Sequence, residues 1–320
     1  MRTSLMRGRY ALLGLFGVLL ITLKLLLPTG EHSRNSADVR ESEPGKLRTA
    51  ELAGVPGSNA NAVTADVLRA EASTCNGDKR VTPPDHIVVV VEENHGFGQI
   101  IGNPDAAYIN SLAATGMLFT NYHALAHPSA PNYLAFFSGS TQGVTEDGTY
   151  FFPNVRTLAG ELQQAGHSFL GYAESPLARD HAPWLSFRDS AKMARSFREF
   201  PTDYAKLPTV SFVSPNLDND MHDGTVAQGD RWLIANLSGY VIWAATHNSL
   251  FVLTFDEDEG TKDNRVATLV VGAGVSAGGN PARADHYSLL RTIQDLYALP
   301  PLGASATSQA MDWISAACGR

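Results

Sequence analysis

Ile87-Val88-Val89-Val90-Val91 runs straight into Glu92-Glu93-Asn94-His95. An unbroken β-branched run keeps no polar face for water. It reads as a strand covered on both sides, the habit of a parallel sheet packed between helices. The acidic stretch behind it then falls at the carboxyl end of that strand. Downstream, residues 106–114 have helical spacing and stop at Gly116, and residues 117–122 read as a strand. Residues 131–137 read as a helix with Pro131 in its first turn, and residues 157–165 as a helix ending at Gly166. Further strands are expected at 167–173, 209–213, 250–255 and 267–271, with a long helix at 226–245 and a closing helix at 287–296. Strands alternating with helices predict a three-layer α/β sandwich around a mostly parallel sheet.

In open sheets of this kind ligands bind beyond the carboxyl ends of the strands. Glu92 to His95 follow the valine strand, Asp218-Asn219-Asp220-Met221-His222-Asp223 follow the strand ending at Val213, and Asp256-Glu257-Asp258-Glu259 follow the strand ending at Phe255. Any one of these clusters alone reads as a solvated loop. Three at one edge point to a common site. Carboxylates with histidine make a mixed oxygen and nitrogen donor set that suits Zn, Mn or Fe, with Ca open where histidine contributes little. His286 precedes the last helix and either joins this edge or neighbours a helix cap. Ser129, in His127-Pro128-Ser129-Ala130-Pro131-Asn132-Tyr133, opens a helix, where the dipole favours phosphate and developing negative charge. It is the nucleophile candidate, and an N-cap is its plainer role. Gly272-Ala273-Gly274-Val275-Ser276-Ala277-Gly278-Gly279 lacks the ending of a P-loop and reads as a loop.

The chain has 320 residues, 44% of them hydrophobic, and a formal net charge of −8, so it can bury a substantial core. No basic stripe with interleaved aromatics appears, which argues against a nucleic-acid partner. Arg2, Arg7 and Arg9 precede an apolar run over residues 10–27. That is an export signal, either a cleaved signal peptide or an uncleaved anchor, and its length favours the anchor slightly. The rest of the chain is then expected outside the cytoplasm, secreted or held on the outer face of the membrane. Residues 28–74 read as a flexible linker and 75–320 as the catalytic domain. Cys75 and Cys318 are the only cysteines and, in an oxidising compartment, would form one bridge across the domain ends; two free thiols are the alternative.

Five ordered motifs carry a resemblance: Glu92-Glu93-Asn94-His95; His127 to Tyr133 with Ser138-Gly139; Asn219-Asp220-Met221-His222-Asp223; Phe255-Asp256-Glu257-Asp258; and Asp285-His286-Tyr287-Ser288-Leu289-Leu290-Arg291-Thr292-Ile293. From residue 86 to residue 302 the chain resembles the bacterial phosphoesterase family, which holds acid phosphatases and non-haemolytic phospholipases C within the alkaline phosphatase-like superfamily. The resemblance implies that fold, with a divalent metal at the sheet edge. It gives Ser129 the nucleophile place and Asn132 a hold on the transferring phosphoryl group. Glu93, Asn94, Asp220, His222, Asp256, Glu257 and His286 take metal places, and Asn94 also contacts substrate. In Arg179-Asp180-His181-Ala182-Pro183-Trp184, His181 would contact substrate phosphate or serve the structure. The wider superfamily begins with aspartate rather than a Glu-Asn pair, which leaves the metal count open. The sequence ends soon after Trp313, so the additional C-terminal domains typical of the larger phospholipases C are not expected. The expectation is therefore an exported, metal-dependent phosphomonoesterase acting on a small phosphate ester through a phosphoserine. A phospholipase C-type diesterase is the alternative in the same chemistry, and a non-catalytic metal- or ligand-binding surface domain the alternative from another class.

Overall fold

The computed structural model of the chain describes residues 82–175 and 181–313. The apolar run at 10–27, the 28–74 linker, Cys75, Cys318, Arg179 and Asp180 lie outside the described residues. Among the described residues no helix is long and apolar enough to cross a membrane.

In chain order the elements are β1 (His86–Glu92), α1 (Phe97–Ile100), α2 (Ala107–Thr115), β2 (Met117–Phe119), β3 (Tyr122–His123), α3 (Ser129–Ser138), α4 (Leu158–Gln164), β4 (Phe169–Ala173) and β5 (Ala194–Ser196). They continue with β6 (Val210–Ser214), α5 (Val226–Ala244), β7 (Ser249–Phe255), β8 (Thr268–Gly272), β9 (Gly278–Asn280), β10 (Ala284–Asp285) and α6 (His286–Leu296). Eight strands form one sheet in the order β5-β4-β6-β1-β7-β8-β2-β9, and β10 pairs with β3 in a separate ribbon. β5, β4, β6, β1 and β7 are mutually parallel, while β8 runs antiparallel to both β7 and β2. The protein is an α/β sandwich around a mostly parallel sheet, as the alternating pattern predicts.

β1 is central because its five aliphatic residues need cover on both faces. Ile87, Val88, Val89, Val90 and Val91 are all at most 2% exposed. Helices α2 and α5 pack against each other in one layer, and α3 with α4 and α6 in the other. Side chains alternate across the sheet, so Glu92 faces the α5 layer and Glu93 the α3 layer. α3 stops where Gly139 turns left-handed at φ 73°; a Cβ there would lie 2.0 Å from the Leu302 carbonyl oxygen, so only glycine fits. The strand expected at 117–122 is split into β2 and β3, and residues 278–280, inside the glycine-rich stretch read as a loop, add a short edge strand beside β2.

Candidate active site

Chain order reverses around β1. From its carboxyl end the chain crosses to β2 on one side and later to β4 and β6 on the other, leaving a crevice there. Backbone bonds lace three loops across it. Glu93 N–H donates to Asp220 C=O at 2.8 Å, and Asp256 N–H donates to Glu92 C=O at 3.0 Å. The Asn94 N–H bonds Asp256 Oδ1 at 3.1 Å. Two non-glycine residues in this lacing are left-handed, Asn94 at φ 49° and Met221 at φ 78°. Each sits one residue past a buried carboxylate, where strained backbone is held by its surroundings to aim a side chain.

Ser129 enters the crevice from α3. Pro128 takes the N-cap position, so the serine hydroxyl is not used for capping. Its Oγ donates toward Glu93 Oε2 at 3.1 Å and Glu257 Oε1 at 3.3 Å. Tyr133, one turn along α3, donates its hydroxyl to Glu93 Oε1 and stacks on His181 with ring centroids 5.2 Å apart. His181 lies between two carboxylates, with Nε2 3.5 Å from Glu93 and Nδ1 3.4 Å from Asp220. His127 Nδ1 is 2.5 Å from Glu257 Oε2, and its Nε2 bonds the Thr261 carbonyl at 3.0 Å.

This is a dense group of acids in little water. Burial, then the charges of Asp256 and Asp220, push the Glu93 carboxyl well up; the Tyr133 and Ser129 hydroxyls oppose that. Burial likewise raises Asp256 to about 6, against the hydroxyl of Ser129 and the Asn94 N–H. Burial and then Asp256 raise Glu257 to about 7. Partial burial works against charging the His127 ring, but the Thr261 carbonyl, Glu257 and Asp258 outweigh it and raise its pKa. Behind the site Glu92 is also pushed well up by burial, then by Asp220, Asp230 and Glu174.

The donors fit a divalent cation. One ligand atom each from Glu93, His181 and Asp220 lie within 4.8 Å of one another, all buried. Asp220 Oδ2, Asp256 Oδ2 and Asn94 Oδ1 are buried with no hydrogen-bond partner, a costly arrangement that a cation would relieve. Oxygen with one imidazole is a donor set for Zn, Mn or Fe.

The crevice thus gathers Glu93, Asn94, Ser129, His181, Asp220, Asp256 and Glu257. His222 stands at its mouth, Nδ1 bonded to Asp223 at 2.8 Å and its ring 5.9 Å from that of His181. Two expected residues are not brought in. Asn132 uses its whole amide on backbone: Oδ1 accepts from Leu125 and Ala126 N–H, and Nδ2 donates to the Ala126 and Pro128 carbonyls. His286 donates Nε2–H to the Asp256 carbonyl at 2.7 Å, and its Nδ1 faces the Tyr122 hydroxyl at 3.0 Å. Burial lowers it to about 3, so it is a neutral ring with both nitrogens taken, supporting Asp256 from outside. His181, for which the resemblance left substrate phosphate or a structural role open, sits among metal-type ligands. His127 and Tyr133 were missed as site residues, although the two-residue and four-residue spacing from Ser129 was there to read.

A serine opening a helix amid carboxylates arranged for a divalent ion defines a hydrolase of phosphoric esters. The chain belongs to the Phosphoesterase family, whose model matches residues 103–300. It is 44% identical over 237 residues to the phosphatidylinositol-3-phosphatase of Mycobacterium tuberculosis, covering 68% of this chain and 78% of that one. It is 33% identical over 227 residues to the phosphate-repressible acid phosphatase of Penicillium chrysogenum, covering 61% of this chain and 55% of that one, so it spans about half of that relative. Among solved structures, an alkaline phosphatase superfamily protein from Vibrio parahaemolyticus superposes with a TM-score of 0.52 at 14% identity over 80% of both chains, which confirms the fold.

Proposed function

We propose that the protein is an exported phosphomonoesterase in which Ser129 is the nucleophile and the phosphoryl group passes through a phosphoserine. The observation that carries this is the placement of the Ser129 hydroxyl at the start of α3 within reach of two carboxylates, Glu93 and Glu257. Export rests on the basic and then apolar N-terminal sequence.

Glu257, raised to about 7, is poised near neutrality to take the Ser129 proton as Oγ attacks phosphorus in line. His127 holds the far oxygen of Glu257 and fixes its direction. The Oγ–P bond forms as the bond from phosphorus to the alcohol oxygen breaks, and the alcohol departs after gaining a proton. Water then attacks the phosphoserine, frees inorganic phosphate and returns a proton to Oγ. A divalent ion held by Glu93, His181 and Asp220, with Asn94 and Asp256 beside it, would neutralise the phosphoryl oxygens and lower the serine pKa. The N-terminal dipole of α3 favours the same negative charge.

A second reading places that phosphomonoester on a lipid headgroup. Its support is the 44% identity to a relative named for a phosphoinositide substrate. The relatives named above are phosphatases, which favours a monoester over the phospholipase C alternative, and the retained serine and carboxylates argue against a domain without turnover.

Hydrolysis of p-nitrophenyl phosphate by the wild type and by Ser129→Ala, with chelator and with each metal restored, tests the proposal. Ser129→Ala should lose about 10³-fold or more in kcat while keeping its bound metal. Full activity in that variant would remove Ser129 from the mechanism. Comparing the aryl phosphate with phosphatidylinositol 3-phosphate in the same assay separates the two substrate readings.

A further inference from the structure

The nucleophile helix is capped from outside. Pro128 at its N-cap offers no side-chain acceptor, and Pro131 has no N–H. Ser129 and Ala130 are therefore the amide donors among the first three residues of α3. The Ala130 N–H, next to the nucleophile along the chain, donates to Asp147 Oδ1 at 2.9 Å.

Asp147 arrives on the connection that follows α3. Gln142 Nε2 donates to the Ser138 hydroxyl at 2.9 Å, at the carboxyl end of the helix. Between residues 142 and 147 the chain thus returns along α3 to the end that carries Ser129. Residues 145–149 are exposed on this return. Among the described residues Asp147 forms no ion pair with a lysine, arginine or histidine. Its charge is met by the helix end alone.

A carboxylate therefore sits where the dipole and an open amide would otherwise hold an anion. Capping alone does not call for the charge, since asparagine, serine and threonine serve as well. The charge has a second effect, because the amide it occupies adjoins the residue that attacks phosphorus. A phosphoryl group brought to Ser129 meets that charge, and the repulsion is larger for a doubly charged group than for a singly charged one in the same place. The other charged groups nearby are the exposed Glu146 on the same connection, Glu93 and Glu257 at the Ser129 hydroxyl, and His127 bonded to Glu257.

We propose that Asp147 is a specificity-determining residue that sets the charge accepted at phosphorus. It holds the amide beside Ser129 and disfavours a dianionic phosphoryl group relative to a singly charged one. The placement of phosphorus at Ser129 rests on the phosphatase reading; the carboxylate on the Ala130 amide does not.

The test is calorimetric titration of the full chain at about pH 8 with inorganic phosphate, doubly charged there, and with dimethyl phosphate, singly charged. Each titration is run with one equivalent of Mn and again in chelator. Asp147→Asn keeps an acceptor for the Ala130 N–H and removes the charge. It should bind inorganic phosphate about fivefold more tightly than wild type and dimethyl phosphate no more than about twofold more tightly, with the difference shrinking in high salt. Its unfolding temperature should stay at the wild-type value, while that of Asp147→Ala, which also loses the cap, should fall. The KM for p-nitrophenyl phosphate should drop in Asp147→Asn by a factor similar to that for phosphate binding. An Asn variant that binds both anions as wild type does would reduce Asp147 to a helix cap and overturn the proposal. Equal tightening toward both anions would overturn the charge selection, and so would a wild type that binds neither. Binding does not require turnover. A wild type that shows this charge dependence but hydrolyses no ester would sink the phosphatase reading and leave the role of Asp147 standing, whereas an active wild type with an indifferent Asn variant would do the reverse.

Discussion

Tyr133 and Ser129 leave α3 on the same side because they are four residues apart, and both hydroxyls reach Glu93. Glu93 is fully buried, and without these donors its carboxyl would hold its proton still more tightly. A metal ligand must be ionised, so if Glu93 holds the ion, as proposed, the tyrosine hydroxyl would act on metal affinity without touching it. Tyr133→Phe should therefore weaken metal activation by about tenfold, with kcat largely recovered at saturating metal. Titrating activity with metal in both proteins checks this, and an unchanged midpoint would mean that Glu93 does not depend on Tyr133. At this scale the sequence was only partly legible. Residue types at the strand ends announced Glu93, Asp220, Asp256 and Glu257. Asn132 and His286 belong to the same motifs, but Asn132 bonds only backbone and His286 bonds the Asp256 carbonyl and the Tyr122 hydroxyl, a difference set by a few hydrogen bonds that no spacing rule encodes.

Among the elements, α2 has no capping side chain of its own, since Ala106 occupies its N-cap. Asp230, in the second turn of α5, supplies the cap from across the layer, accepting Tyr108 N–H at 3.0 Å and Ile109 N–H at 2.9 Å. Burial raises the Asp230 pKa, and these two N–H groups oppose the rise. Asp230→Ala should cost about 2 kcal/mol, from the lost cap and two orphaned donors. That corresponds to a drop of about 4–8 °C in Tm. Asp230→Asn keeps one good acceptor and should lose about half as much, so equal losses in the two variants would refute the capping role. Such a contact joins distant stretches of chain and was invisible in the sequence. The longer helices were legible to within a residue or two, helped by the local stops at Gly116 and Gly166, whereas the four-residue α1 was not. The short strands β5, β9 and β10 were not, since two or three residues carry no periodicity.

For the whole molecule, the meeting of three acidic loops at one edge was legible because parallel strands necessarily present their carboxyl ends together. Its electrostatic consequence needed the structure. Glu92, Glu93, Asp230, Asp256 and Glu257 all have folded pKa values raised above those of the unfolded chain, chiefly by burial. Where unfolded carboxyls have already ionised, above about pH 4.5, the folded metal-free protein still holds these protons. It therefore binds more protons than the unfolded chain, and its stability falls as pH rises through the folded values, about 6 for Asp256 and about 7 for Glu257. His286 has the opposite sign. Its folded pKa is lowered to about 3, so it removes stability as pH falls below the unfolded value. One histidine against five carboxyls leaves the carboxyls dominant. With chelator, Tm should be higher at pH 5 than at pH 8. A divalent ion binds the ionised carboxylates, so its stabilisation should grow with pH and close or reverse that gap. Differential scanning calorimetry at both pH values, with and without metal, reads this directly. A chelated protein more stable at pH 8 would mean that the buried carboxylates are already compensated by the fold alone, and the case for a cation at Glu93, His181 and Asp220 would fall with it.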